Sequence, residues 1–180
     1  KNVSETTANL QWKSVEGATS YVIEVYADDS LAFNGNPEKT ITTANNAASL
    51  SGLLFDTKYS ARVQAKTDGD DSRDSKWTGV FFRTSAKQFM KSLKPNDIAD
   101  RSVIISWEPE EGYDVTTIVI GSITHEITAE EKEAGKATID GLDPETTYTA
   151  YLYYNGKLCG NRSFTTIADL NGDILVHAGD

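Results

Sequence analysis

The stretch "IDGLDPETTYTAYLYYNG" at residues 139–156 has a counterpart at 50–69, "LSGLLFDTKYSARVQAKTDG". In both, a Gly-Leu pair leads through a short polar step to Thr-x-Tyr and then to alternating residues. Gly52 and Gly141, Leu53 and Leu142, Thr57 and Thr146, and Tyr59 and Tyr148 all stand 89 residues apart. Two further anchors keep the same order at other spacings. "ANLQW" (8–12) answers to "SVIISW" (102–107), with Trp12 and Trp107 95 apart, and "VFFRTS" (80–85) to "RSFTTI" (162–167), with Phe82 and Phe164 82 apart. Constant order with changing offset marks one unit copied whole, whose loops then changed length. A period of this size lies far beyond the roughly 20–50 residues of a solenoid repeat. The chain therefore reads as two domains in tandem, residues 1–86 and 87–167, with 168–180 as a tail or the start of a further module.

Each copy reads as all-β. "YVIEVYA" (21–27), "YSARVQA" (59–65), "SVIISW" (102–107) and "YTAYLYY" (148–154) are strand-length runs rich in β-branched and aromatic residues. They alternate with period two between clusters of Gly, Asn, Asp and Pro, the pattern of an antiparallel β-sandwich of seven short strands. One helical turn is predicted in "TAEEKEAG", with Thr128 as cap, Glu131 three residues on and Gly135 as the stop. At the repeated corner, Tyr59 and Tyr148 are expected to turn their rings inward and tie their hydroxyls to backbone a few residues upstream. Leu53 and Leu142 plug the core beneath, and Trp12 and Trp107 form the central ring of each core.

This combination resembles the fibronectin type III domain. The residues that carry the resemblance are the Trp of the second strand, Gly-Leu-x-Pro-x-Thr-x-Tyr at the corner, a closing Phe-x-Thr, and "VEGATSYVIEV" at 15–25. It covers both copies and implies an immunoglobulin-like sandwich in each. The second copy departs from the pattern with Thr116 or a neighbour where the first has Tyr21, and the first has Phe55 where the second has Pro144. Most of the first strand is expected to be missing or irregular in the first copy, as in a fragment of a longer protein. The acidic, cysteine-poor, Asn- and Thr-rich style is similar to the amino-terminal part of Bacteroidetes surface lipoproteins. That resemblance implies a cell-surface or extracellular location, a lipid anchor in an outer membrane, and a following glycan-handling domain.

Charge excludes some partners. With 17 Lys plus Arg against 27 Asp plus Glu, the formal net charge is −10, and such a surface repels nucleic acid and anionic membrane. No apolar run of the roughly 18 residues needed to span a bilayer occurs, so this segment is not expected to insert directly. The single cysteine, Cys159, permits no intrachain disulfide.

Motifs for chemistry are weak. "HEITA" (125–129) opens like a zinc-protease signature, but Ala129 stands where the second histidine belongs and His177 is the sole other histidine; it reads as the end of a surface strand. Asp169, Asn171, Asp173 and Asp180 occupy positions 1, 3, 5 and 12 of a calcium-loop template, with Ile174 where the template needs Gly. They are weak calcium candidates against an Asx-rich turn. "TDGDDSRDS" (67–75) is read as a solvated hairpin loop rather than a cation site. Cys159, beside Gly160 and without a nearby histidine, is read as a packed thiol. Sequons at Asn2 and Asn161 matter in a secreted eukaryotic protein. No cofactor and no catalysis are expected.

Strand parity gives the one surface feature. If Tyr148 points inward, so do Ala150, Leu152 and Tyr154, while Tyr151 and Tyr153 point out, with Val119 on the neighbouring strand sharing their face. The matching outward positions of the first copy are Arg62 and Gln64. Three occupants compete for this apolar face: another domain of the same longer protein, a surface protein bound as by an adhesion or receptor ectodomain, and a polysaccharide whose pyranose rings stack on the tyrosines. The expected role is a non-catalytic spacer or interaction region. A link of a few residues near Ser85–Lys87 predicts a semi-extended monomer, and a compact globule in small-angle scattering would contradict it.

Overall fold

Over residues 20–25 of the first half every second side chain is buried, with Tyr21, Ile23 and Val25 inside and Ser20, Val22 and Glu24 toward the other face. That alternation is served by a strand with one face on a core, and burying each Ile or Val contributes about 1.5–3 kcal/mol. The structure, a computed structural model, describes residues 2–27, 33–69 and 73–169. The chain divides into two compact units, unit 1, Lys1–Ala86, and unit 2, Lys87–Asp180.

Unit 1 contains β1 (Asn2–Val3), β2 (Ala8–Gln11), β3 (Ser20–Ala27), β4 (Lys39–Thr43), β5 (Ala47–Leu50), β6 (Lys58–Lys66) and β7 (Thr78–Arg83). One sheet has the order β1-β2-β5 and the other β4-β3-β6-β7, all pairs antiparallel. Ala8, Tyr21, Ile23, Val25, Leu50, Leu53, Tyr59 and Ala61 form its core.

Unit 2 contains β8 (Ser102–Ser106), β9 (Thr117–Ile120), β10 (Ile123–Glu126), α1 (Ala129–Ala134), β11 (Lys136–Asp140), β12 (Thr147–Tyr154) and β13 (Lys157–Thr165). Its sheets are β11-β8 and β10-β9-β12-β13. The expected first strand is replaced by an irregular segment that meets β8 through isolated bridges at Met90–Trp107 and Ile98–Val103. Pro95, which has no N–H to offer a ladder, opens a short 3-10 turn between them. At its start Lys87 is buried, its Nζ 2.9 Å from Glu110 and 5.0 Å from the ring centre of Tyr113. The helical turn forms as the sequence predicts: Thr128 Oγ1 accepts from the Glu131 N–H, the Glu131 carboxylate accepts from the Thr128 N–H, and Gly135 closes it in the left-handed region.

The repeated corner is one hydrogen-bond network built twice. The Leu54 N–H donates to the Tyr59 hydroxyl at 2.9 Å, and the Asp143 N–H to the Tyr148 hydroxyl at 3.0 Å, each five residues upstream. The Thr57 hydroxyl donates to the Phe55 carbonyl and the Thr146 hydroxyl to the Pro144 carbonyl, both at 2.8 Å. Thr84 and Thr166 then clamp the corner from the last strand. Each accepts the N–H of the corner threonine at 2.9 Å and donates to the carbonyl of Leu54 or Asp143 at 2.6 Å. Below, Tyr59 stacks on Phe82 and Tyr148 on Phe164 at 5.6 and 5.9 Å. Phe55 in place of Pro144 leaves the network unchanged because each position contributes its carbonyl.

The two tryptophans differ. Trp107 is 3% exposed, as a central core ring should be. Trp12 is half-buried at the rim of its core, edge-on to Tyr21 at 5.4 Å. The expectation of a central ring in both copies is therefore corrected for the first. The physical reason is what lies above each ring: Phe89 and Met90, both buried, cross beside Trp107.

Candidate functional site

The outward face of the four-stranded sheet of unit 2 is set by β12. Ala150 and Leu152 are fully buried, so Tyr151 between them stands out at 37% exposure. Tyr151 lies opposite Val119 of β9 on one side and Asn161 of β13 on the other, and Val119 lies opposite Thr124 of β10. This gives a cross-strand row Thr124–Val119–Tyr151–Asn161. Val119 and Tyr151, chosen by parity, are thus direct neighbours. Tyr153 is half-buried, opposite Thr117 and Leu158. The ladder slips by one residue between Leu152 and Tyr153, with Cys159 the extra residue on β13. A bulge of this kind bends β13; Tyr153 keeps the outward register beside Thr117 but is half-buried, so Tyr151 is the exposed tyrosine of the pair. Tyr154 packs edge-on to Tyr113 at 5.5 Å.

Hydroxyl groups flank Tyr151 on the same face. Thr149 and Ser163 share a hydrogen bond at 2.9 Å, and Thr147 and Thr165 another at 2.8 Å. Thr116 takes the register position of Tyr21, and its hydroxyl bonds the Tyr153 carbonyl at 3.1 Å. The face therefore offers one aromatic ring, a valine and a strip of hydroxyl and amide groups, with Glu126 as the charged residue of the adjoining row.

Unit 1 presents a different surface at the matching positions. Arg62 pairs with Glu24 at 2.8 Å, and its guanidinium carbon lies 4.2 Å from the ring centre of Trp77, 5.2 Å from Phe33 and 5.8 Å from Tyr26. Opposite Arg62 on β7 stands Gly79, where a Cβ would fall 2.9 Å from the Phe33 ring. The arginine is thus enclosed by aromatic faces, an arrangement worth roughly 0.5–2 kcal/mol per contact. Parity placed Arg62 outward but missed its partners. The available signal was a lone outward arginine with Trp77 and Phe33 in the flanking loops.

The remaining candidates have structural roles. Asp169 accepts from Arg101 at 2.9 Å and raises the guanidinium's pKa; Asn171, Asp173 and Asp180 lie outside the described residues, as do His177, Asp70 and Asp71. Asp74 accepts from Lys66 Nζ at 2.7 Å and from the Thr67 N–H at 3.1 Å, which holds its carboxyl below the usual range and ties the hairpin base. The His125 ring nitrogen Nε2 bonds the Glu131 carboxylate at 2.8 Å. The Thr128 N–H, and then His125, keep that carboxyl below its ordinary value. Cys159 is fully buried, and burial pushes its thiol up to about 12, a value that leaves no thiolate at neutral pH. Among the described residues no group of three or more His, Cys, Asp or Glu is placed to hold a metal ion. No helix among them is long and apolar enough to cross a membrane.

Residues 1–80 match the family model of the fibronectin type III domain. The human phosphatidylinositol phosphatase PTPRQ is 28% identical over 114 residues, 62% of this chain, and the chain spans 5% of that protein's length. The two-domain fibronectin type III segment of chicken tenascin superposes over 92% of this chain and 95% of its own, with a TM-score of 0.52 at 17% identity. The central fibronectin-III array of RIM-binding protein aligns over 93% of this chain and 58% of its own at a TM-score of 0.34 and 18% identity.

Proposed function

We propose that these tandem fibronectin type III domains act without catalysis, as spacer and interaction modules of a cell-surface or secreted protein, presenting a further, glycan-handling domain. The observation that carries the reading is where the polar chemistry sits. The corner threonines, Asp74, Glu131 and Lys87 all serve internal locks, and Cys159 is a buried, neutral thiol. Such interiors support rigid modules whose function lies on their surfaces. The acidic surface and the likeness of the chain's style to Bacteroidetes surface lipoproteins support a lipid-anchored outer-membrane setting.

A second reading is favoured by one observation. Tyr151, exposed beside Val119, is bordered by the hydroxyl pairs Thr149–Ser163 and Thr147–Thr165. An aromatic ring for the apolar face of a pyranose, edged by hydroxyl groups for its rim, is the composition of a sugar-binding surface. A polysaccharide panel titrated with the chain and with the Tyr151→Ala/Tyr153→Ala variant separates the two. The spacer reading expects no affinity in either protein. Affinity that disappears in the variant establishes glycan binding, and affinity unchanged in the variant places it elsewhere and refutes this face. Turnover of any substrate by the chain alone would refute the non-catalytic role.

A further inference from the structure

On β13 the residues Asn161, Arg162 and Ser163 spell an acceptor signal for an asparagine-linked glycan. The strand turns that signal outward. Asn161 and Ser163 are exposed, while Arg162 between them bends to the other side and bonds the Met90 carbonyl at 3.1 Å. The Asn161 N–H donates to Gln88 Oε1 at 3.1 Å, and its carbonyl accepts from Gln88 Nε2 at 2.8 Å. Its side-chain amide makes no hydrogen bond among the described residues.

Directly opposite Asn161 on β12 stands Tyr151, the exposed ring of this face. Both backbone groups of Asn161 point away from β12, to Gln88. The two residues are therefore a non-hydrogen-bonded pair, the kind in which facing side chains come closest, with Cα atoms about 4.5 Å apart. The same kind of pair recurs at every second position. At Thr149–Ser163 and Thr147–Thr165 the facing side chains do meet, at 2.9 and 2.8 Å. The phenol ring of Tyr151 thus stands beside the Asn161 amide, with the Thr149–Ser163 hydroxyls in the next row. The other acceptor signal differs: Asn2 lies opposite Asn9, with no ring across from it.

We propose that Asn161 carries an asparagine-linked glycan and that Tyr151 is the platform for its first sugar, an N-acetylhexosamine. The donor is a lipid-diphosphate-linked oligosaccharide. Its anomeric C1–O bond to the diphosphate breaks, the bond from Asn161 Nδ2 to C1 forms, Nδ2 gives up one proton, and the lipid diphosphate leaves. Transfer takes place on the extended chain, before β12 and β13 pair. In the folded unit the pyranose begins just past the amide, level with the phenol ring. Its apolar face covers the ring, and its polar rim meets the hydroxyls of Thr149 and Ser163. The sugar taken by this face is then the protein's own, and the face is closed to a free polysaccharide. Such a sugar presupposes the secreted setting proposed above, in a cell that glycosylates the chains it exports.

The test secretes the whole chain from cultured animal cells with Asn2→Gln, which leaves Asn161 as its one acceptor signal. It is made alone, with Tyr151→Ala and with Asn161→Gln, and the glycan is trimmed enzymatically to the first sugar. Peptide masses are expected to show Asn161 occupied. The sugar-ring protons should be shifted upfield by the phenol ring and cross-relax with it, and unit 2 should melt several degrees above the Asn161→Gln protein. In Tyr151→Ala the occupancy should stay while the upfield shift and the gain in melting temperature disappear. A secreted chain bare at Asn161 overturns the proposal and leaves the secreted role standing. Sugar shifts and melting that are unchanged in Tyr151→Ala overturn it as well. So does a polysaccharide that binds the glycosylated chain through Tyr151, since the face would then be open.

Discussion

The two repeated corners, at 53–59 and 142–148, and the two outward sheet faces, around Arg62 and Tyr151, belong to the same pair of copies and have diverged to opposite degrees. The corners retain every bond of one network within about 0.1 Å. The faces share no chemistry: a caged arginine in one, an exposed tyrosine among hydroxyls in the other. The corner closes a crossover between sheets with buried backbone groups, and losing one partner leaves a desolvated donor or acceptor at about 1–3 kcal/mol. A solvated face carries no such penalty, and most substitutions there stay within about 0.5 kcal/mol. What is shared between the copies reports folding, and what differs reports use.

The largest expected effect breaks the likeness of the two cores. Trp107→Ala should cost about 3–5 kcal/mol, and Trp12→Ala clearly less, because its ring already borders water. Denaturant unfolding of the whole chain, resolved by amide exchange in each unit, would show it; equal losses would mean that the segment over Trp107 does not matter. At the corners, Tyr59→Phe should cost about 1–3 kcal/mol by leaving the Leu54 N–H unpaired. Tyr148→Phe should cost less, since its ring is half-buried and water can reach the Asp143 N–H. A larger loss at Tyr148 would contradict the burial argument.

Gly160→Ala should destabilise unit 2 by about 1–3 kcal/mol, because the new Cβ meets the Met90 backbone. Thr78→Gly, its counterpart, should cost less than about 1 kcal/mol. Calorimetry of the two variants that found them alike would remove the difference between the two positions. The helical turn sharpens the comparison on the side that has it. Thr128→Ala should cost about 1 kcal/mol. Because Glu131 is held below its ordinary pKa in the folded chain, its contribution is fully present above the usual carboxylate range. It is lost as pH falls through that lowered value. Amide exchange over Ala129–Ala134 followed from pH 7 downward in Glu131→Gln, which cannot titrate, should lack that acid-side loss. Smallest of all, Tyr151→Ala should change stability by no more than about 0.5 kcal/mol, so that any binding it removes reports contact and not unfolding.

Much of this was legible in residue order. Thr128, Glu131 and Gly135 are a cap, its partner and a stop within eight residues, and the chain folds there as those residues dictate. The face was half legible: period two placed Val119 beside Tyr151. What period two does not report is depth: Tyr153 shares that face by register with Thr117 yet is half-buried.

By itself the sequence determined the two sandwiches, their seven-residue corners and their helical turn. Each of these rests on partners a few residues apart or on a period that any strand must obey, and the clamping threonines Thr84 and Thr166 close each copy at matched places. Tertiary structure alone decided that Arg62 is enclosed by Phe33 and Trp77, that Trp12 stays at a rim while Trp107 is covered, and that a groove opens beside β2 and β7. Those outcomes join segments distant in sequence, such as Phe89 and Cys159. No local propensity encodes whether two such segments meet; that is decided by the packing of everything between them.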